Sequence, residues 1–223
     1  IHVGSNNAWM CAAARITSDL DNSITEPEDN VGGPVNDDTT ADGDLDSALQ
    51  FAFWHDDGDN VLEVDEFGIQ GAGIFLSGTL ASMGAQGQIR LADSSGSILG
   101  GTAPIPGGTT FYIGKAWCYG NLTGAPLAQD GATTQGPTDL NLVSPSGPRG
   151  TGVACDGSGV GNIGQTDSVE GDMQFYATQS RNNSTFTCAA NYTPTWVTPI
   201  VGALSSSYND PDPTACNFTV SST

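Results

Sequence analysis

The sequence predicts an all-β fold. Thirty glycines and twelve prolines punctuate the chain, and apolar residues seldom recur at the spacing of an amphipathic helix. Several short runs instead alternate apolar with polar positions, the mark of strands with one face in a core. All-β chains of 223 residues often stay single, so one antiparallel β-sandwich with long acidic and Gly-rich loops is expected.

Residues 1–25 mix apolar positions (Ile1, Val3, Trp9, Met10, Ile16) with polar ones and read as an edge strand with a turn-rich approach. Residues 26–46, EPEDNVGGPVNDDTTADGDLD, combine turn formers with mutually repelling charges and read as an acidic loop or linker. The sandwich proper is then assigned to 47–223. Its first clear strand is SALQFAFW, 47–54, with Leu49, Phe51 and Phe53 on one face and Ala48, Gln50, Ala52 and Trp54 on the other. Apolar character on both faces makes it a central strand. Ile74, Phe75 and Leu76 are candidate core, and one short helix is expected near 77–86.

The other strong strands are 109–119, TTFYIGKAWCY, and 168–178, SVEGDMQFYAT. In the second, Val169, Met173, Phe175 and Ala177 should face inward and Glu170, Asp172 and Gln174 outward. Between them, 120–166 is rich in turns and holds a shorter run from Asp139 to Ser144; a last strand is expected at Asn217–Ser221.

Five basic residues (Arg15, Arg90, Lys115, Arg149, Arg181) face 25 acidic ones, a formal charge of −20. Nucleic acid is therefore excluded as a partner, since phosphate binding needs clustered positive charge. Charged residues make up only 13% of the chain and apolar ones 37%, which is enough apolar matter for a core. No run approaches the ~20 apolar residues of a membrane span. The chain opens without a leader and reads as a mature, secreted, extracellular or cell-surface product.

Cys11, Cys118, Cys155, Cys188 and Cys216 never fall into CxxC spacing, so disulfides in an oxidising compartment are expected over a metal or redox site. Two bridges among five cysteines can be drawn in fifteen ways, five choices of the odd residue times three connectivities, and spacing does not choose. Glycosylation sequons stand at Asn121, Asn182, Asn183, Asn191 and Asn217.

Catalysis by a serine, cysteine or zinc mechanism normally needs histidine in a defined constellation. This chain has His2 and His55, neither in an HExxH helix, and no GxSxG elbow, so both read as unpaired surface residues and no enzyme is expected. The glycine run 157–164, GSGVGNIG, lacks the strand-to-helix context of a phosphate cradle and reads as a turn. The densest acidic stretch is HDDGDNVLEVDE, 55–66, where Asp56, Asp57, Asp59, Asn60 and Glu63 supply candidate ligands beside Asp65 and Glu66. Oxygen donors of this kind suit calcium, the one cofactor the residues suggest, although Gly58 falls too early for an EF-hand. The competing reading is a solvated acidic turn.

Three segments resemble the TasA/camelysin family, whose precursors carry signal peptides processed by the SipW type of peptidase. They are DLDSALQFAFWHDDGDNVLEVDE at 44–66, FYIGKAWCYGNLT at 111–123 and ACDGSGVGNIGQTDSVEGDMQFYATQSRNN at 154–183, somewhat under a third of the chain. The resemblance implies a jelly-roll-like sandwich that polymerises when the N-terminal strand of one subunit completes the sheet of the next. It implies Cys118 and Cys155 as partners. Apart from the resemblance, Cys188–Cys216 is expected as a second pair, which leaves Cys11 over. By position, the donor is the segment Ile1–Met10, carrying Ile1, Val3 and Trp9. The expected function is a subunit of an extracellular filament in a biofilm matrix or on a cell surface, with further copies of itself as partner. A cell-surface adhesion or carbohydrate-binding module is the alternative, followed by a secreted peptidase.

Overall fold

The computed structural model describes residues 1–22, 42–68, 73–129, 136–139 and 148–196. Antiparallel strands dominate these residues, as the sequence predicts. The strands are β1 (Ala8–Leu20), β2 (Leu49–Asp56), β3 (Ile74–Thr79), β4 (Ile89–Asp93), β5 (Gly96–Ser97), β6 (Tyr112–Tyr119), β7 (Asn121–Gly124), β8 (Val153–Asp156) and β9 (Ser168–Gln179). Among the described residues four short helices intervene: α1 (Leu45–Ala48), α2 (Val64–Gly68), α3 (Leu80–Gln86) and α4 (Cys188–Asn191). One sheet has the order β5-β4-β1-β9, a second β3-β2-β6, and β7 pairs with β8.

β1 is not the edge strand expected of residues 1–25. It runs antiparallel to β9 from Ala8 opposite Gln179 to Leu20 opposite Ser168, and its other flank pairs with β4. Every residue from Ala8 to Ala14 is buried. Trp9, Met10, Cys11 and four alanines make this stretch apolar on both faces, as a central strand requires. Residues 1–7 precede the β1 ladder and fold back on their own subunit. The Val3 amide donates to Thr109 O, the Phe111 amide to Ile1 O, and Val3 is buried in the core. Ile1 packs against that core and Trp9 lies within it, its indole donating to Asn183 O at 2.8 Å. The expected donor residues are thus enclosed by their own chain in this structure.

β2 occupies the centre of its sheet, as expected, but begins at Leu49 because residues 45–48 form α1. Its two faces serve two cores. Phe51 and Phe53 join the main cluster with Met10, Leu76, Leu91 and Ile105, whereas Trp54 packs with Leu62 and Ala116. Trp54 lies opposite Gly114 of β6, where a Cβ would stand 2.2 Å from the indole, so only glycine leaves room for the ring.

α3 starts at Leu80, within the expected 77–86, and Thr79 caps it by accepting from the Ser82 amide. β9 keeps Phe175 and Ala177 against the core, but Met173 is exposed instead of inward. The glycine run near 157–164 is a turn, as read. The expected strand at 217–221, nearly all of the run Asp139–Ser144 and most of the loop 26–46 lie outside the described residues.

Two disulfides staple the structure, Cys118–Cys155 and Cys11–Cys188. The first is the pair the resemblance implies. The second replaces the expected Cys188–Cys216 bond: β1 brings Cys11 beside α4, although 177 positions separate the two cysteines. Cys216 lies outside the described residues. Two disulfides point to an oxidising, extracellular setting, and no described helix is long and apolar enough to cross a membrane.

Candidate functional site

The acidic stretch 55–66 is not a solvated turn. Asp56, Asp59, Glu63 and Glu66 are buried and Asp57 is half-buried where β2 ends and the chain turns into α2. The fold holds the carboxylates there through backbone bonds. Asp56 Oδ2 accepts from the amides of Gly58 and Asn60 at 2.9 and 3.1 Å, while Oδ1 accepts from the Trp54 indole at 3.1 Å. Asp59 Oδ1 accepts from the Val61 amide. Glu66 reaches back across the loop, its two oxygens accepting from the amides of Asp57 (2.8 Å) and Glu63 (3.1 Å). The loop is therefore wound around Glu66.

Arg149 enters from a remote segment. Its guanidinium donates to Asp59 Oδ2 at 2.7 Å and to Glu63 Oε1, and the side chains of all three residues are essentially enclosed. Glu63 is 0% exposed, and its Oε2 has no hydrogen-bond partner among the described residues. Two overlapping groups of carboxylates result, Asp56/Asp57/Asp59 and Asp57/Glu63/Glu66, each with one oxygen per residue within 4.8 Å of the others. Asp57 belongs to both.

Burial outside water penalises the charged form of these acids. It is the main reason that Glu66 is pushed up to about 8, with Asp56 adding to the rise, and that Asp59 is pushed up to about 6 despite its amide bond and Arg149. Asp56 is raised by burial as well. Burial lowers His55, which is half-buried in β2 and not on the surface as expected. His2 is exposed, but its Nδ1 pairs with the Thr110 hydroxyl at 2.9 Å.

Of the five ligands read from the sequence, Asp56, Asp57, Asp59 and Glu63 come together and Asn60 does not. Asn60 adopts a left-handed φ of 62° and commits its Oδ1 to the Lys115 amide at 2.7 Å. Glu66 takes the place it was expected to fill. Arg149 was not assigned a role from sequence, because its partners lie 86 and 90 positions away.

No protein-family model, curated protein or solved structure matches the chain. Function must therefore be argued from its own residues. Among the other expected sites, Asn121, Asn182, Asn183 and Asn191 are exposed, as glycan acceptors must be, and Asn217 lies outside the described residues.

Proposed function

We propose that the protein is a structural subunit of an extracellular filament, a jelly-roll-like sandwich that assembles head to tail by exchange of its first strand. The observation that carries this reading is the place of β1, which fills the slot between β4 and β9 and is laddered on both flanks. The next described element, α1, begins at Leu45, after a stretch whose sequence is acidic and rich in turn formers. Asn22 is held by Thr166 and Ser168, and the 19 residues from 23 to 41 reach at most roughly 65 Å at ~3.3–3.6 Å per residue. A strand separated by that many residues from the next described element can fill the same slot in a neighbour with the contacts it makes at home.

Exchange of that kind needs no new interface, so concentration and tether reach set the balance. A head-to-tail contact that does not close on itself propagates into a fibre. Repulsion between subunits of charge −20 is screened beyond about 8 Å at physiological salt. The unit transferred is Ile1–Leu20 and not Ile1–Met10, since the latter boundary would cut β1 after its third residue. The resemblance of 44–66, 111–123 and 154–183 to fibre-forming proteins supports the same reading.

This assignment has a covalent consequence. Cys11 travels with β1 and Cys188 stays behind, so in an exchanged assembly each Cys11–Cys188 bond joins two subunits. Electron microscopy of the secreted protein should show long fibres, and electrophoresis in detergent should show a ladder without reductant that collapses to 22.8 kDa with it. Dispersed particles that migrate as monomers without reductant would refute the proposal. Trp117, 61% exposed on β6, favours the carbohydrate-binding alternative, because sugar rings stack on open aromatic faces. Dispersed monomers retained on a glycan array would select that reading.

A further inference from the structure

We infer that the carboxylate cluster at the end of β2 is a divalent-cation site of the calcium type, with Asp57, Glu63 and Glu66 as its side-chain ligands and Asp56 and Asp59 beside them. The charge balance is the first argument. Five carboxylates lie in two overlapping groups and one described guanidinium, Arg149, pairs with two of them, Asp59 and Glu63; these six groups sum to −5 + 1 = −4 when all are ionised, and four of the five acids are buried. Like charges enclosed at such distances repel far more strongly than they would in water.

The second argument is independent of the acidity. Glu63 is fully enclosed, and while Arg149 occupies Oε1, Oε2 has no hydrogen-bond partner among the described residues. A buried carboxylate oxygen left without a partner is costly, and such atoms in folded proteins are normally satisfied by a group, a water or an ion. The Glu63 carboxylate belongs to the group in which oxygens of Asp57, Glu63 and Glu66 lie within 4.8 Å of one another. Calcium binds oxygen at ~2.3–2.6 Å, so ligands across it stand up to about 5 Å apart. One ion fits that span.

The donor set chooses the ion. The two groups contain neither imidazole nor thiolate, which disfavours zinc and copper and leaves the hard cations. Magnesium demands near-ideal octahedral geometry and keeps several waters, whereas an irregular, largely enclosed cage of carboxylates suits calcium. The loop is already arranged for the task, because Glu66 fixes the amides of Asp57 and Glu63 and so holds all three ligands in one place.

Trp54 supplies a built-in reporter, since its indole bonds to Asp56 at the edge of the cluster. Titrating the full-length, disulfide-intact chain with terbium while exciting tryptophan should give sensitised emission that calcium displaces. Calcium at a hundredfold excess over its Kd should raise the melting temperature by about 5 °C or more above that in chelator. Asp57→Asn should weaken calcium binding tenfold or more, Glu66→Gln should do the same if the first variant folds poorly, and Asp65→Asn, an exposed neighbour outside both groups, should leave it unchanged. Identical melting in calcium and chelator with no displaceable terbium signal would overturn the inference. So would an unaltered affinity in both ligand variants, or equal losses in the Asp65 control.

Discussion

Arg149→Met removes the guanidinium from a site where Asp59 and Glu63 are both enclosed with it. Breaking a buried ion pair by deleting one partner costs about 3–5 kcal/mol, because the other charge stays behind uncompensated. Here two acids are left. Asp59 keeps the Val61 amide on its other oxygen, but Glu63 keeps no partner on Oε2 among the described residues. The loss should therefore fall in the upper half of that range, about 4–5 kcal/mol, a large share of the ~5–15 kcal/mol that holds an ordinary domain. For a chain of this size it corresponds to a fall of roughly 8–20 °C in melting temperature. Calorimetry in chelator measures it without interference from a bound cation. Adding Glu63→Met to Arg149→Met removes one stranded acid, so the double variant should be more stable than the sum of the two single losses predicts. A loss below about 1 kcal/mol for Arg149→Met, or simple additivity in the cycle, would refute the reasoning.

Two further outcomes follow from other parts of the fold. Asp19 is pushed up to about 6, first by burial and then by Asp46, Asp42 and Asp167. A folded pKa above the unfolded value stabilises fully below the unfolded pKa, near 3.8, and that stability is lost as pH rises through about 6. Melting temperature should accordingly fall between pH 4 and 7, and Asp46→Asn should flatten the fall relative to the parent at constant calcium; equal slopes would contradict this. Gly114→Ala should cost about 1–3 kcal/mol through the clash of its Cβ with the Trp54 ring, read as a lower denaturant midpoint.

What the sequence reveals depends on how local the cause is. β2, β6 and β9 were legible because alternating or two-faced apolar runs bounded by turns record their burial directly. β1 was not, because Ala8–Ala14 is buried on both faces and its continuous apolar run carries no period-two signal. Reading it as an edge strand also hid the Cys11–Cys188 bond, which depends on β1 lying next to α4. The acids of 55–66 were visible as a cluster, but their burial was not, since it comes from β2, α2 and the remote Arg149. Asn60 has the right chemistry for a ligand and the wrong backbone, a left-handed residue whose side chain is taken by β6. Met173 shows the limit of alternation, for a strand near the boundary of a core can expose an apolar residue without losing its place.

The central claim is that β1 of one subunit completes the sheet of another. Mixing equal amounts of unlabelled and heavy-isotope chains in reduced, unfolded form, refolding them together under oxidation and mapping disulfide-linked peptides by mass spectrometry tests it directly. Exchange predicts Cys11 peptides of one label joined to Cys188 peptides of the other, in about the proportion that random pairing requires, in the fraction that forms fibres. Fibres whose Cys11–Cys188 peptides always carry a single label would show that every subunit keeps its own β1, and strand exchange would be wrong.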